Sequence, residues 1–201
     1  MFSVSDTFIA NAALEQIGAK SGIQALTENS PEAKACNFWY DFCRVHVLEA
    51  YDWSFARRRL ALAASSDDPP EGIWSYRYQY PVDCVKAREI ENPLGPTADA
   101  TPFEIEQMSD GSAKTILTNA EAATLIYTRN VEETSLFPAH FVDTLAAQLA
   151  SRIALKLTGK RTIRDDMQKL YAGLLSIAPA HDANEAVKDK PREAEWIRAR
   201  A

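Results

Sequence analysis

Trp74-Ser75-Tyr76-Arg77-Tyr78-Gln79-Tyr80 places a large aromatic side chain at every second position, with polar ones between, and Pro81 ends the run. A period of two marks a strand with one face turned to a core. The run stands mid-chain, between segments whose apolar residues recur about every four positions, so it decides the fold: a β unit set between helices. Upstream, residues 55–63, FARRRLALA, keep the alternation with Ala56, Arg58, Leu60 and Leu62 on one side. Residues 65–72, SSDDPPEG, read as a loop. Downstream, Val85 to Ile90 continues as a further strand, and residues 92–102, with three prolines and one glycine, form a long loop. Residues 103–108 and 114–118 flank Ser109-Asp110-Gly111, a hairpin turn, and residues 122–130, AATLIYTRN, complete the β region.

Helices bracket this region. Residues 5–19 carry Phe8, Ala12, Ala13 and Ile17 on one face, with Ser3 and Asp6 resembling a capping box and Gly18 and Gly22 at the exit. Residues 31–51 start with Ser30 as cap and Pro31 at the first helical position. Their apolar stripe is Ala35, Phe38, Phe42 and Val45, with Trp39 and Cys43 beside it. Pro138 opens a helix to about Thr158, in which Phe141, Leu145, Leu149, Ile153 and Leu157 recur every four residues. Val142, Ala146, Ala150 and Ala154 form an adjacent small-residue strip, and Gly159 supplies a left-handed cap. Thr162 and Asp165 restart a helix with Ile163, Met167, Leu170, Leu174 and Ile177 on its buried face, and Pro179 stops it. Residues 181–201 hold five basic and five acidic residues, with Val187, Trp196 and Ile197 as the only large apolar ones. Such a segment cannot bury enough surface to hold itself in place.

The whole chain has 201 residues, 46% hydrophobic and 25% charged, an ordinary globular mix that excludes a wholly disordered or fibrous chain. No apolar run is long enough to span a membrane, and no secretory signal is visible at the N-terminus. The net charge of −6 argues against a broad nucleic-acid grip, though not against a protein that surrounds DNA without holding it. Three cysteines in such a chain read as reduced thiols.

The residues offer little catalytic chemistry. Gly159-Lys160-Arg161-Thr162 imitates the end of a phosphate-binding loop, but Ala154 stands where the first glycine is needed. Cys36, Cys43 and His46 share a helix, yet Cys36 and Cys43 lie two turns apart and further ligands are missing, so a packed-core reading outweighs a metal site. His140 and His181 have no sequence partner for acid–base work. Glu132-Glu133 and Asp165-Asp166 read as solvated edges or helix starts. No cofactor is expected. Arg57, Arg58 and Arg59 are the one dense basic cluster, open to three readings: surface ion pairs, contact with a neighbouring subunit, or contact with DNA phosphates. The aromatic alternation is an inward sheet face or a base-stacking platform. The tail is a frayed terminus or a docking segment anchored by Trp196 and Ile197 with Arg198 and Arg200.

Several blocks, in order, resemble a known family: LEQIGAKSGIQAL at 14–26, Pro31-Glu32, Tyr51-Asp52-Trp53-Ser54-Phe55-Ala56-Arg57-Arg58, Tyr76-Arg77-Tyr78-Gln79-Tyr80-Pro81-Val82-Asp83-Cys84, Leu125-Ile126-Tyr127-Thr128-Arg129, and Phe137-Pro138-Ala139-His140-Phe141-Val142-Asp143-Thr144-Leu145-Ala146. The chain, from about residue 8 to 178, is similar to the tail tubular protein A family, the head–tail adaptors (connectors) of short-tailed bacteriophages. The closing Trp196-Ile197-Arg198-Ala199-Arg200 also looks like that family's C-terminus. The resemblance implies a non-enzymatic structural protein of the virion, assembled in the host cytoplasm. It implies a ring of twelve copies between the portal protein and the tail nozzle (a tail tubular protein B-like protein), with DNA passing through the lumen without specific binding. Trp196, Ile197, Arg198 and Arg200 would then form the portal-binding end.

The expectation is therefore an α+β fold: a bundle of about four helices with an inserted antiparallel β domain and an extended C-terminal tail. Residues 1–54 plus 132–180 make the bundle, 55–131 the β domain and 181–201 the tail. The competing functional expectations are a virion-associated cell-wall hydrolase, favoured by the surplus of carboxylates, and a small nucleic-acid-binding module.

Overall fold

The computed structural model describes residues 4–92 and 100–183. The fold is mixed α+β, with four helices and two three-stranded antiparallel sheets. Helices α1 (Asp6–Gln16) and α2 (Pro31–Ala50) precede strands β1 (Arg57–Ala61), β2 (Tyr76–Gln79), β3 (Cys84–Ile90), β4 (Phe103–Gln107), β5 (Lys114–Thr118) and β6 (Thr124–Arg129); helices α3 (Ala139–Thr158) and α4 (Arg161–Ala183) follow.

Local chemistry sets the helix ends. Ser30 Oγ accepts from Ala33 N at 3.1 Å, with Pro31 opening α2. The cap of α1 is Ser5, whose hydroxyl accepts from Phe8 N at 3.1 Å. That corrects the expected capping by Ser3, which lies outside the described residues. Gly159 closes α3 at φ 68°, a left-handed conformation in which a side chain would be strained. The imitation phosphate loop is thus the turn between α3 and α4. Within α4, Pro179 does not end the helix, which continues to Ala183. A proline removes one amide bond and crowds one carbonyl. Here it sits in the last turns, and side chains beyond it fasten the helix end, so the expected boundary at residue 180 falls inside a helix.

Helix α3 is the centre of the helical layer, packing against α1, α2 and α4. Phe141, Leu145, Leu149 and Ile153 are fully buried, as are Ala146, Ala150 and Ala154, whose small side chains admit close neighbours. The three flanking helices bury only part of the face that their apolar residues suggest. On α2 the core residues are Ala33, Ala35, Cys36, Tyr40, Cys43, Val47 and Leu48, while Phe38 and Phe42 face outward. On α1 they are Ile9, Ala10, Ala13 and Leu14, with Ile17 just past its end, so Ala13 and Ile17 of the expected face are buried and Phe8 is exposed. On α4, Ile163, Met167, Tyr171, Leu175 and Ala178 meet the core, and Leu170 and Ile177 are exposed. Each helix has apolar residues around more than half its circumference, so the partner across the interface chooses the face, and small residues win where backbones approach closely.

The sheets run β1–β6–β3 and β2–β5–β4. Single bridges join them at both flanks. Ala64 pairs with Tyr78, supported by Gln79 N to Ala63 O at 2.8 Å and Ser65 N to Arg77 O at 2.9 Å, and Ile90 pairs with Thr101. The six strands thereby curl round one apolar centre of Tyr78, Ile90, Ile116, Ala123, Leu125 and Tyr127, with Leu60, Leu62, Tyr76, Tyr80 and Phe103 packed against it. Curling covers strand edges that would otherwise invite foreign pairing. Two register shifts in β3, at Cys84/Lys86 and Ala87/Glu89, accompany this curvature. A 3-10 turn at Ser54–Ala56 resets the alternation before β1, so Ala56 joins the helical core instead of lying in line with Leu60 and Leu62.

Two arginines, Arg44 buried and Arg88 half-buried, bind the layers together. Arg88 of β3 donates to the carbonyls of Leu48, Glu49 and Tyr51 at 3.3, 3.1 and 2.7 Å, and to Thr128 Oγ1 at 2.8 Å. It caps the carbonyls that α2 leaves unpaired at its end. Arg44 of α2 donates to Asn130 Oδ1 at 2.6 Å and the Val131 carbonyl at 2.8 Å, where the chain leaves β6.

Leu48→Ala should cost about 3 kcal/mol of unfolding free energy, whereas Phe38→Ser should stay within about 0.5 kcal/mol; urea titration of the two variants checks the α2 register. Arg88→Met, which keeps the stem and removes the guanidinium, should cost about 2 kcal/mol by the same measurement.

Candidate interaction site

The three clustered arginines sit on β1, at the edge of its sheet. Arg57 pairs with Asp52, Arg58 with Asp83 at 2.8 Å and Arg59 with Glu91 at 3.5 Å. Of the three readings open to this cluster, the geometry carries surface ion pairing. Alternation turns Arg58 away from Arg57 and Arg59, and a carboxylate meets each. Asp83 is the hub: it also accepts from the Tyr127 hydroxyl at 2.8 Å and approaches Arg129 Nε at 3.4 Å, while its carbonyl takes Asn130 N at 2.7 Å. Exposed pairs of this kind contribute little stability, but they leave the cluster with little free charge for DNA phosphates.

The aromatic alternation is mostly core. Tyr78 is buried with its hydroxyl on the Ala120 carbonyl at 3.0 Å, and Tyr76 and Tyr80 pack beside it. Trp74 precedes the strand and donates to Glu104 Oε2 at 3.2 Å. Three of the four rings therefore serve the sheet interior and are not a platform for bases.

The last turn of α4 is anchored where the preceding loops converge. Trp53, buried, donates Nε1 to the Val47 carbonyl at 2.8 Å and packs edge-on to Phe141. It also neighbours His140, whose ring stacks on His181 with centroids 4.2 Å apart and planes 6° from parallel. Beside them Asp182 accepts from Ser54 N at 3.1 Å and Ser54 Oγ at 2.5 Å. These residues, with Pro138 and Ala139, line a pocket of about 170 Å3. His140 Nε2 lies 3.0 Å from the Leu174 carbonyl, so it carries the hydrogen. Burial, and then the neighbouring His181, push the His140 pKa below the ordinary histidine value, outweighing the raising effect of Leu174 and Asp143. Sequence gave no sign of this pairing, because the two histidines lie on different helices and meet only where α4 folds back along α3.

A second feature faces outward. Phe38, Trp39 and Phe42 of α2 contact one another edge-on, and Phe42 stacks on His46, which leans toward Tyr171 of α4. Arg152 of α3 lies over Trp39 and Phe42, at 5.6 and 5.4 Å from the ring centres.

Cys36 and Cys43 are fully buried, and burial pushes their thiols up to about 11 and about 12, so neither is a thiolate near neutral pH. Among the described residues no group of three or more His, Cys, Asp or Glu side chains could hold a metal ion, and no helix is long and apolar enough to cross a membrane. Glu132 approaches Arg44 at 3.7 Å while Glu133 accepts from Ser135 N at 3.4 Å, and Asp165 holds Arg164 while Asp166 approaches Lys169, so the members of each carboxylate pair have separate partners. Trp196, Ile197, Arg198 and Arg200 lie outside the described residues. Compared with protein-family models and with curated proteins, the chain matches none.

His140 should titrate below the ordinary value of about 6.5, and His181→Ala should move it part of the way back; imidazole NMR shifts read both. Because the unfolded chain takes up this proton more readily, the stabilisation of the α4 end is complete above the ordinary histidine value and falls as pH drops below it. Protection factors of amides in the last two turns of α4, corrected for the slower intrinsic exchange in acid, should accordingly fall between pH 7.5 and 5.5 more than those in α3.

Proposed function

We propose that this chain is a head–tail adaptor of a short-tailed bacteriophage, of the tail tubular protein A type: a non-enzymatic virion protein at the head–tail interface, forming a ring, of twelve copies by the resemblance, between portal and tail nozzle. In this reading the helices form one bundle with the β unit inserted into it, residues 1–54 plus 132–180 and 55–131, and the segment from 181 onward is the portal-docking tail, with Trp196, Ile197, Arg198 and Arg200 at its end.

The observation that carries the reading is the ordered set of resembling blocks. Its most specific members also have structural work in this fold: Trp53 of the Trp-Ser-Phe-Ala-Arg block organises the junction of α2, α3 and α4, and Asp83 of the Tyr-Pro-Val-Asp-Cys block gathers Arg58, Arg129 and Tyr127. Two physical points support it. An acidic chain whose clustered arginines are engaged by its own carboxylates would let DNA slide past without gripping it. The root of the tail is held by Asp182 and His181, so a tail contact repeated around a ring would transmit load to a fixed point and gain avidity from multiplicity.

Purified protein mixed with portal rings and imaged by electron microscopy should add a layer of ring density, and its absence would reject the proposal. Deleting residues 192–201 should leave the melting transition nearly unchanged and abolish docking, and Trp196→Ala should weaken docking by about 2 kcal/mol or more.

A further inference from the structure

The end of α4 is built against its own local preferences. Pro179 has no amide to give the Leu175 carbonyl, and its ring crowds that carbonyl, so the helical ladder is interrupted one turn before Ala183. Asp182 then places a negative charge in the last turn, where the helix macrodipole disfavours it. Beyond the proline the apolar core supplies no grip: Ala178 is the last buried side chain, Ala180 and His181 are exposed and Asp182 is half-buried. What holds this turn is polar. His140 Nε2 meets the Leu174 carbonyl at 3.0 Å, beside the break, and its ring stacks on His181. Asp182 Oδ1 accepts from Ser54 N at 3.1 Å and Ser54 Oγ at 2.5 Å, with Tyr51 and Arg57 beside it. Tyr51, Ser54 and Arg57 belong to one short run, the exit from α2 through the 3-10 turn into β1.

We propose that the last turn of α4 is a latch, hinged at Pro179 and seated on the Tyr51–Arg57 run, and that Asp182 is a positioning residue which aims the following segment at its partner. The proposal rests on the adaptor reading for that partner and deepens it by naming what sets the strength of docking. A turn that carries both a proline and an unfavourably placed carboxylate frays if left alone, so its helical state depends on the seat. Local rules broken in this way, with a tertiary contact arranged to offset them, are a mark of functional positions. The contact adds little to a core that Ala178 already closes, but it fixes a direction. A segment leaving a fixed point gives up less conformational freedom on binding than one leaving a frayed helix end.

Three full-length variants test it: Asp182→Ala, which removes the acceptor; Asp182→Asn, which keeps a side-chain oxygen for the Ser54 donors; and Ser54→Ala, which removes one of those donors. Amide protection factors at Ala180–Ala183, read by NMR at pH 7, should fall roughly tenfold in Asp182→Ala. They should fall less in the other two, with α3 protection and Tm unchanged in all three. On portal rings Asp182→Ala should dock about fivefold more weakly, and Asp182→Asn should recover most of that loss. Unchanged protection in Asp182→Ala would overturn the latch. Lower protection with equal docking would overturn the positioning role, as would a Tm that falls in step with docking, which makes the contact merely structural. Portal rings left bare by the unaltered chain would reject the adaptor reading and the positioning role with it, while the exchange measurement still decides the latch.

Discussion

The guanidinium of Arg88 meets three carbonyls at the end of α2, and the two layers of this protein depend on that meeting. A helix end abutting a sheet is a difficult junction, because the terminal carbonyls of the helix need donors and the sheet's own amides are committed to its ladders. A long cationic side chain from β3 supplies them, and Thr128 of β6 holds it in position. Arg44 performs the converse task from α2, reaching the backbone that leaves β6. The β unit is fastened at the strands that enter and leave its first sheet, while the second sheet joins the first through strand bridges and the apolar centre they share.

The same economy of charge explains the surface. An acidic protein with a run of three arginines might be expected to display a basic patch. Instead the run lies on an edge strand, and carboxylates from the helix exit, the turn before β3 and the end of β3 face it one by one. Edge strands gain from such charges, which discourage pairing with other chains. Arg152, by contrast, rests on the aromatic rings of Trp39 and Phe42 on the helical side.

The anchoring of α4 has a similar logic. Asp182 and His181 lie beyond a proline that would ordinarily fray a helix end. The stacked histidines and the Ser54 contacts hold those last residues against Trp53. Whatever follows residue 183 thus begins from a fixed point beside the junction of α2 and α3.

Local chemistry made much of this legible in the sequence. Period two at Tyr76–Tyr80, the Ser30–Pro31 start, Gly159 and the Ser109-Asp110-Gly111 turn each reflect a constraint acting within a few residues, and each stands where it was expected. The buried faces of α1, α2 and α4 were legible only in part: Ala13, Ala35, Cys43, Ile163 and Met167 meet the core, while Phe8, Phe38, Phe42, Leu170 and Ile177 do not. With apolar residues on most sides of each helix, periodicity admits several faces, and the choice belongs to α3, whose alanine strip accepts Cys36, Cys43 and Ala178 more closely than Phe38 or Ile177. Nor could spacing along the chain foretell that His140 would meet His181, or that Asp52, Asp83 and Glu91 would take one arginine each. Sequence by itself determined the element types, because backbone propensity and capping are local. Tertiary structure alone decided which faces are buried and which charges are paired, because those depend on atoms far apart in the chain arriving at the same place.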